Sequence, residues 1–211
     1  LPTTYVKASR LLEIDKDLAA NVQVIDRKAV ENSTASNLVE LLEKETSLNF
    51  KSTSGNASSV EAGMRGYGEN SGQRVLVLLD GHRLNTADLN RIDWLSIPLA
   101  LVENVEIIRG SQTALYGNNA SAGVIRISTR RPTEALSGGV STEYGSNEGY
   151  NFRAGLTGSV GLLGYAVHAE HNETDGFRDN SQYEADGGGF RLDYPFLESL
   201  QGYFSLNASE S

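Results

Sequence analysis

The stretch VLVLLDGHRLN, residues 75–85, decides the fold. Its first five residues form a continuous apolar run, which is typical of a short strand buried on both faces. Asp80-Gly81 follows directly and predicts a tight turn. Two further apolar stretches, at 105–109 and 124–129, predict two more strands. This part of the chain therefore reads as a compact α+β unit.

Shorter elements precede this stretch. The segment 21–25, with Val22, Val24 and Ile25 apolar, predicts a short strand, and Asp26 is a suitable N-cap for the turn after it. Leucines at helical spacing predict a helix over 36–43, with Ser36 as its cap. The other expected elements are a Ser/Gly/Asn-rich loop at 51–59, a strand at 60–64 and a Gly/Asn-rich loop at 110–123.

The composition changes near Arg131-Pro132, and a period of two takes over from Gly138. We expect five strands there, at 140–144, 150–157, 165–170, 190–194 and 203–208. One face is apolar and aromatic, and the other carries Arg, Asp, Glu and Asn. A soluble sandwich would bury the apolar face, whereas a membrane barrel would turn it to lipid. The pattern leaves both open, but the short connectors and the long polar loop at 171–188 fit a bacterial barrel.

Composition excludes several classes of protein. The 211 residues carry a net charge of −9, which disfavours nucleic-acid binding. There is no cysteine, so disulfides and thiolate sites are excluded, and no apolar run reaches the ~20 residues of a membrane helix. None of the common nucleotide-binding or hydrolase motifs is present, so we do not expect an enzyme. Residues 1–30 lack signal-peptide features, so an exported protein would be in its mature form.

Four segments between Gly63 and Thr129, taken in order, resemble the plug of TonB-dependent outer-membrane receptors. They are Met64-Arg65-Gly66, the 75–85 stretch, Ile97-Pro98 with VENVEIIRG at 102–110, and ALYG at 114–117 with AGVI at 122–125. The closest branch is that of the vitamin B12 and siderophore receptors. The implied fold is an α+β plug domain at 21–132, preceded by an arm at 1–20 and followed at 133–211 by the first five or so strands of an antiparallel transmembrane β-barrel.

The resemblance implies TonB-dependent active uptake of a scarce nutrient chelate, of the siderophore-iron, cobalamin or haem class. It places the protein in the outer membrane of a Gram-negative bacterium, in contact with lipid, with the plug inside the barrel and the N-terminus in the periplasm. TonB and its inner-membrane energising complex are the implied partners. Five strands cannot close the family's 22-stranded barrel, so we expect either a truncated chain or a second polypeptide. The alternative is a plug-bearing interaction module or half of a split-barrel receptor.

The resemblance also implies site residues. The TonB-binding segment, or Ton box, would be Thr3, Thr4, Tyr5, Val6, Lys7 and Ala8, an extended stretch suited to strand addition. Arg65 and Arg109 would hold the plug by pairing with barrel-wall carboxylates, for which Glu143 and Glu170 are the candidates within the chain. Substrate contacts are expected from plug loops, and the candidates are Tyr67, Asn56, Asn85, Asp88 and Arg91.

No cofactor or resident metal is expected. The loop at 171–188 holds five acidic residues, namely Glu173, Asp175, Asp179, Glu184 and Asp186. Calcium favours several oxygen ligands on a flexible loop, but this spacing does not match a 12-residue calcium loop. A solvated extracellular loop is favoured, with calcium as the alternative. His82 is a candidate haem ligand, although a lone turn histidine is more often an ordinary polar residue.

Overall fold

The computed structural model describes residues 21–52, 60–64, 73–85, 92, 94, 96–145, 149–175, 182–197 and 200–210. These residues form an N-terminal α+β region and a C-terminal antiparallel sheet. Within the described residues, no helix is both long and apolar enough to cross a membrane.

The N-terminal region is built on a five-stranded sheet with the order β1-β6-β7-β4-β5. The strands are β1 (Asn21–Ile25), β4 (Val75–Leu79), β5 (His82–Arg83), β6 (Val102–Arg109) and β7 (Gly123–Thr129). The central pair, β4 and β7, is parallel, and the first four residues of β4 are buried, as the unbroken apolar run predicts. A separate ribbon joins β2 (Asn49–Ser52) to β3 (Val60–Gly63). The expected loop at 51–59 therefore begins two residues too early.

Two helices cover this sheet, α1 (Arg27–Asn32) and α2 (Leu38–Glu45). Asp26 caps α1 as expected, accepting from the amide of Ala29 at 2.9 Å. The cap of α2 is Asn37 and not Ser36, so the predicted helix start was wrong. The Asn37 side chain accepts from the Glu40 amide, while the Glu40 carboxylate accepts from the Ser36 amide at 2.7 Å. This reciprocal capping fixes the first turn of the helix.

The core of the region lies between the helices and the sheet. Trp94 is fully buried, donates to the carbonyl of Val60 at 2.9 Å and packs edge-on against Phe50. The short loop elements between strands are a 3-10 helix at Leu99–Leu101 and α3 at Thr113–Tyr116. The largest other buried side chains are Leu38, Leu41, Leu42, Leu76, Leu99, Ile107, Ile108, Ile125 and Ile127.

The C-terminal sheet is an antiparallel meander in which each strand pairs with the next. Its strands are β8 (Ser137–Tyr144), β9 (Tyr150–Val160), β10 (Leu163–Thr174), β11 (Tyr183–Leu197) and β12 (Leu200–Glu210). The described residues of this part thus form five strands. The long loop expected at 171–188 was wrong in extent, because Thr174 still pairs with Tyr183. Glu173, Glu184 and Asp186 thus lie on paired strands rather than on a flexible loop.

The two faces of this sheet decide between the open interpretations. Apolar side chains face outward and are exposed: 70% for Val140, 48% for Val167 and 58% for Phe204. The polar positions of opposite phase, among them Asn151, His168, Glu170, Asn172 and Arg191, are buried against the N-terminal region. A soluble sandwich would reverse this arrangement, whereas a membrane barrel requires it.

Two glycines of the sheet let the N-terminal region approach its backbone closely. A Cβ atom added at Gly187 of β11 would lie 2.7 Å from Cγ of Pro98. At Gly164 of β10 the same atom would lie 2.6 Å from Cβ of Pro132. Both distances are shorter than real contacts allow, so the N-terminal region packs directly on the backbone of the sheet.

Candidate functional site

The candidate site is the interface between the polar face of β9–β11 and the N-terminal region. Several wall side chains form hydrogen bonds across this interface, among them Arg191, which donates to the hydroxyl of Thr129 at 3.5 Å, and three of these bonds are 3.0 Å or shorter. Asn151 donates to the hydroxyl of Ser36 at 2.9 Å, and Arg153 donates to the carbonyl of Ala35 at 3.0 Å. The third bond is accepted by the carboxylate of Glu170 from the amide of Ala100 at 3.0 Å. Each of these bonds joins a wall side chain to a different residue of the N-terminal region, so the interface consists of separate individual hydrogen bonds.

An ion pair provides a second connection. Arg191 of β11 places its guanidinium 3.5 Å from the carboxylate of Asp80, and its side chain is only 10% exposed. The same guanidinium is held from the other side by Asp193 at 2.7 Å and lies over the ring of Tyr203, 4.3 Å from its centroid. The arginine is therefore oriented by its own sheet before it meets Asp80. Such preorganisation reduces the side-chain entropy lost in the pair.

The position of Asp80 follows from the turn that the sequence predicts. Asp80 and Gly81 both have positive φ, 48° and 86°, which is the two-residue turn that suits an antiparallel hairpin. The turn places the carboxylate at the end of β7, where it accepts from the amide of Thr129 at 2.9 Å and from its hydroxyl at 2.5 Å. The carboxylate thus links the first sheet to Arg191 of the second.

The interface also leaves polar atoms unsatisfied. Within the described residues, Nε2 of His168, Oδ1 of Asn172 and Nε of Arg153 are buried without a hydrogen-bond partner. Each unmet buried group costs about 1–3 kcal/mol. A neighbouring cavity of about 20 Å³, lined by His168, Arg191 and Asp80, has room for about one water molecule. The two parts are therefore held by specific bonds around a water-sized cavity.

Comparison with known proteins agrees with this geometry. Residues 15–124 match the model of the TonB-dependent receptor plug domain. The chain belongs to the TonB-dependent receptors. It is 30% identical over 97% of its length to the vitamin B12 transporter BtuB of Photobacterium profundum, and 30% identical over 92% to the same transporter of Vibrio cholerae. These alignments cover 35% and 32% of the relatives, so the chain spans about a third of the curated proteins it matches.

Solved receptor structures share the fold. The FpvA receptor of Pseudomonas aeruginosa in complex with a ferric pyoverdine matches 92% of this chain and 25% of its own, with a TM-score of 0.74 and 14% identity. The ferric yersiniabactin receptor FyuA of Yersinia pestis matches 83% and 29%, with a TM-score of 0.68 and 22% identity. The N-terminal region is therefore the plug and the second sheet is barrel wall. The expectation that the chain is not an enzyme is confirmed, because its family consists of receptors and transporters.

Arg65 and Arg109 were the arginines predicted to pair with carboxylates of the barrel wall. Arg109, at the end of β6, donates to Gln23 at 2.8 Å and to Ser47 at 3.3 Å, both within the plug. The candidate carboxylates bond elsewhere: Glu143 pairs with Arg153 on the neighbouring strand, and Glu170 accepts from the plug backbone. A pairing of Arg109 with a wall carboxylate stays a prediction, and Arg65 lies outside the described residues.

Most of the predicted ligand contacts lie outside the described residues, namely Tyr67, Asn56, Asp88 and Arg91, and so does the whole Ton box at 3–8. Asn85 is described, and it is 8% exposed. Its amide accepts from the backbone of Val77 and donates to the carbonyl of Val75. These bonds close the turn after β4, so the side chain already has a structural role; contact with substrate stays a prediction.

The acidic residues between 171 and 188 assemble differently from expectation. Nδ1 of His171 lies 2.8 Å from the Asp186 carboxylate, and Glu184 belongs to the same exposed group. Exposed acidic groups of this kind are common on protein surfaces. Calcium binding at Glu173, Asp175, Asp179, Glu184 and Asp186 stays an untested alternative, with Asp179 outside the described residues.

Sequence reasoning missed the residues that hold plug and wall together. Asp80 was assigned only to a turn, and Arg153 and Arg191 only to the polar face of their strands. The signal was present in part, because both arginines occupy the phase of their strands that carries the polar residues. The partners of these arginines could not be predicted from the sequence, because they lie far away along the chain; they are Ala35, Thr129 and Asp80.

Proposed function

We propose that this chain is the plug and the first wall strands of a receptor that takes up a scarce nutrient chelate across the outer membrane with energy delivered by TonB. The observation that carries the proposal is the plug–wall interface. Among the described residues it is polar, it depends on a few hydrogen bonds and one ion pair, and it contains unsatisfied groups. A plug that must leave its wall during each transport cycle needs contacts that are specific and also weak enough to break.

The chemistry of these contacts supports gating. Breaking a buried ion pair by removing one partner costs about 3–5 kcal/mol, while the intact pair gives little net stability. Movement of the plug would expose Asp80 and Arg191 to water together, which restores their hydration. A force delivered by TonB would therefore separate the plug from the wall at a lower free-energy cost than the number of bonds suggests. The same bonds would bring the plug back to one defined position.

The substrate belongs to the cobalamin, ferric siderophore or haem classes, and cobalamin is the first candidate. The sequence relatives at 30% identity are vitamin B12 transporters, while the siderophore receptors are matched at 14–23% identity and support the fold alone. TonB would bind residues 3–8 by strand addition from the periplasm, because an extended segment offers unpaired backbone groups. The receptor would lie in the outer membrane, with the apolar positions of β8–β12 against lipid.

The test is uptake of labelled cyanocobalamin in the native bacterium. Deletion of the receptor gene is expected to abolish energy-dependent uptake, and deletion of the gene for TonB is expected to leave surface binding but stop accumulation. Ferric siderophore and haem uptake are measured in the same strains. Unchanged uptake of all three nutrient classes in the receptor deletion strain would refute the proposal.

The intact denatured mass of the protein from native outer membranes tests whether one polypeptide completes the barrel. The 211 residues of this chain account for 22.8 kDa. A mass several-fold higher supports a single-chain receptor. A mass near 22.8 kDa would replace it with a split barrel, in which a second chain pairs with the edges of β8 and β12.

A further inference from the structure

A cavity of about 250 Å³ separates the plug from the first wall strand. It lies between helix α1 and the strands β8 and β9. The inner positions of β9–β11 are packed against the plug, but those of β8 from Ser137 to Ser141 are exposed. The inner residues Ser137, Gly139 and Ser141 have side chains that are too small to reach the plug. The polar interface therefore ends at β9, and a gap opens beside β8.

Three arginines line this gap, and they are not equally engaged. Arg27 of α1 pairs with Glu31 at 2.8 Å and donates to the carbonyl of Val102 at 2.7 Å. Arg153 of β9 pairs with Glu143 at 2.9 Å. In the part of the chain that the structure describes, the guanidinium of Arg130 has neither a hydrogen bond nor an ion pair. The walls of the gap thus contain two neutralised pairs and one unmatched positive charge.

The surroundings of Arg130 act on its pKa in both directions. Burial, the largest effect, and the positive charge of Arg27 lower the pKa, while the carboxylates of Glu103 and Glu31 raise it, and the net pKa is lowered. The Nε of Arg153, which lines the same gap, is also buried without a partner. A guanidinium without a protein partner, one unmet Nε–H donor and a net positive charge facing one cavity are the features of an oxyanion site, because a guanidinium can donate two parallel hydrogen bonds to two oxygens of a phosphate or carboxylate.

We infer that this gap is an oxyanion site, centred on Arg130 and Arg153, that receives a phosphate or carboxylate group of the cargo as it passes between plug and wall. The volume is below the ~300–1,000 Å³ typical of sites for whole small molecules. The site would therefore hold one charged group of a larger chelate. The assignment to cargo depends on the proposed function, whereas binding of an oxyanion does not.

The first test is titration of the purified full-length receptor with inorganic phosphate at constant ionic strength. Arg130→Gln is expected to weaken phosphate binding by about tenfold, as for loss of one charged hydrogen bond. Arg131→Gln, an exposed neighbour, is expected to leave it unchanged. The absence of saturable phosphate binding in the wild-type receptor, or equal binding in the Arg130 variant, would overturn the inference.

A second pair of variants keeps the test independent of Arg130. A Cβ at Gly139 meets nothing within 4 Å, so a small side chain fits there. Gly139→Asp would add a negative charge to the gap and is expected to remove phosphate binding. Gly139→Asn has nearly the same shape without the charge and is expected to retain it. Equal phosphate affinity in these two variants would also overturn the inference.

The transport arm separates cargo from a free anion. Cyanocobalamin carries a phosphodiester and cobinamide does not. Arg130→Gln is expected to slow uptake of cyanocobalamin severalfold, with surface binding and cobinamide uptake unchanged. If phosphate binds in the titration but cyanocobalamin uptake is unaffected, the site takes free anions and the cargo assignment is wrong. If the wild-type receptor transports neither corrinoid, the cobalamin proposal fails while the phosphate titration still decides the site.

Discussion

Substitution of Asp80 by Asn tests whether the ion pair to Arg191 couples the plug to the barrel wall. The asparagine keeps an oxygen for the amide of Thr129, 2.9 Å away, and nearly the same shape. It loses the negative charge that lies 3.5 Å from the Arg191 guanidinium. The perturbation therefore removes the electrostatic attraction, and it also replaces the oxygen that accepts from the Thr129 hydroxyl by an amide donor.

The expected magnitude follows from the geometry. Opposite charges about 4 Å apart attract by about 4 kcal/mol at an effective dielectric constant of ~20. Two features reduce this value: the side chain of Asp80 is 27% exposed, and Arg191 keeps Asp193 at 2.7 Å. We expect a net loss of about 1–2 kcal/mol, which corresponds to a factor of about 5–30 in the opening equilibrium.

The assay is hydrogen exchange of the full-length receptor, followed by mass spectrometry in peptides that cover β7. Exchange of the Thr129 amide, which donates to the Asp80 carboxylate, is expected to accelerate by that factor in Asp80→Asn. The matched control is Arg83→Gln, because Arg83 is nearby in the hairpin but donates to the carbonyls of Tyr116 and Asn118 within the plug. It should leave exchange of the Thr129 amide unchanged.

A double-mutant cycle with Arg191→Gln isolates the pair. A coupling energy of about 1 kcal/mol is expected between the two positions. Additivity within about 0.5 kcal/mol would mean that the two side chains act independently. In that case the reasoning that this pair connects plug and wall would be refuted.

Three further outcomes follow from the structure. Gly187→Ala is expected to weaken plug docking by about 1–3 kcal/mol in urea titrations, because its methyl group would collide with Pro98. Gly188→Ala is the control and should have little effect, because its Cβ would meet its nearest atom at 3.6 Å. Burial raises the pKa of the Glu106 carboxyl in spite of the neighbouring Arg126. Its contribution to plug stability is therefore full below the unfolded pKa of about 4.5 and is lost as pH rises through the raised folded pKa. Glu106→Gln should flatten this part of the pH profile of the urea midpoint, and an unchanged profile would contradict the assignment. Asn37→Ala is expected to destabilise the plug by about 1 kcal/mol through loss of the α2 cap, measured as faster exchange in residues 38–45, whereas Glu43→Ala, at an exposed position of the same helix, should have little effect.

Much of the fold could be predicted because its signals are local. The apolar run of β4 and its Asp-Gly turn lie within eleven consecutive residues, and the period of two along β8–β12 is set by the geometry of one strand. Boundaries were less accurate where two local signals competed. Ser36 and Asn37 are both good caps, and tertiary packing of the leucines on the core selects Asn37. The 171–188 segment looked like a loop because it is polar and acidic, but pairing of Thr174 with Tyr183 extends both strands into it.

The sequence by itself determined the family, the buried plug strands and the alternation of the wall. Only the tertiary structure decided which polar face the plug contacts and which groups meet there. Arg191 and Asp80 are separated by more than a hundred residues, as are Arg153 and Ala35, and no local pattern specifies their pairing. The same holds for the gap at Arg130, which exists because small residues of β8 stop short of α1. Periodicity depends on the backbone of one element, whereas an interface depends on the packing of two.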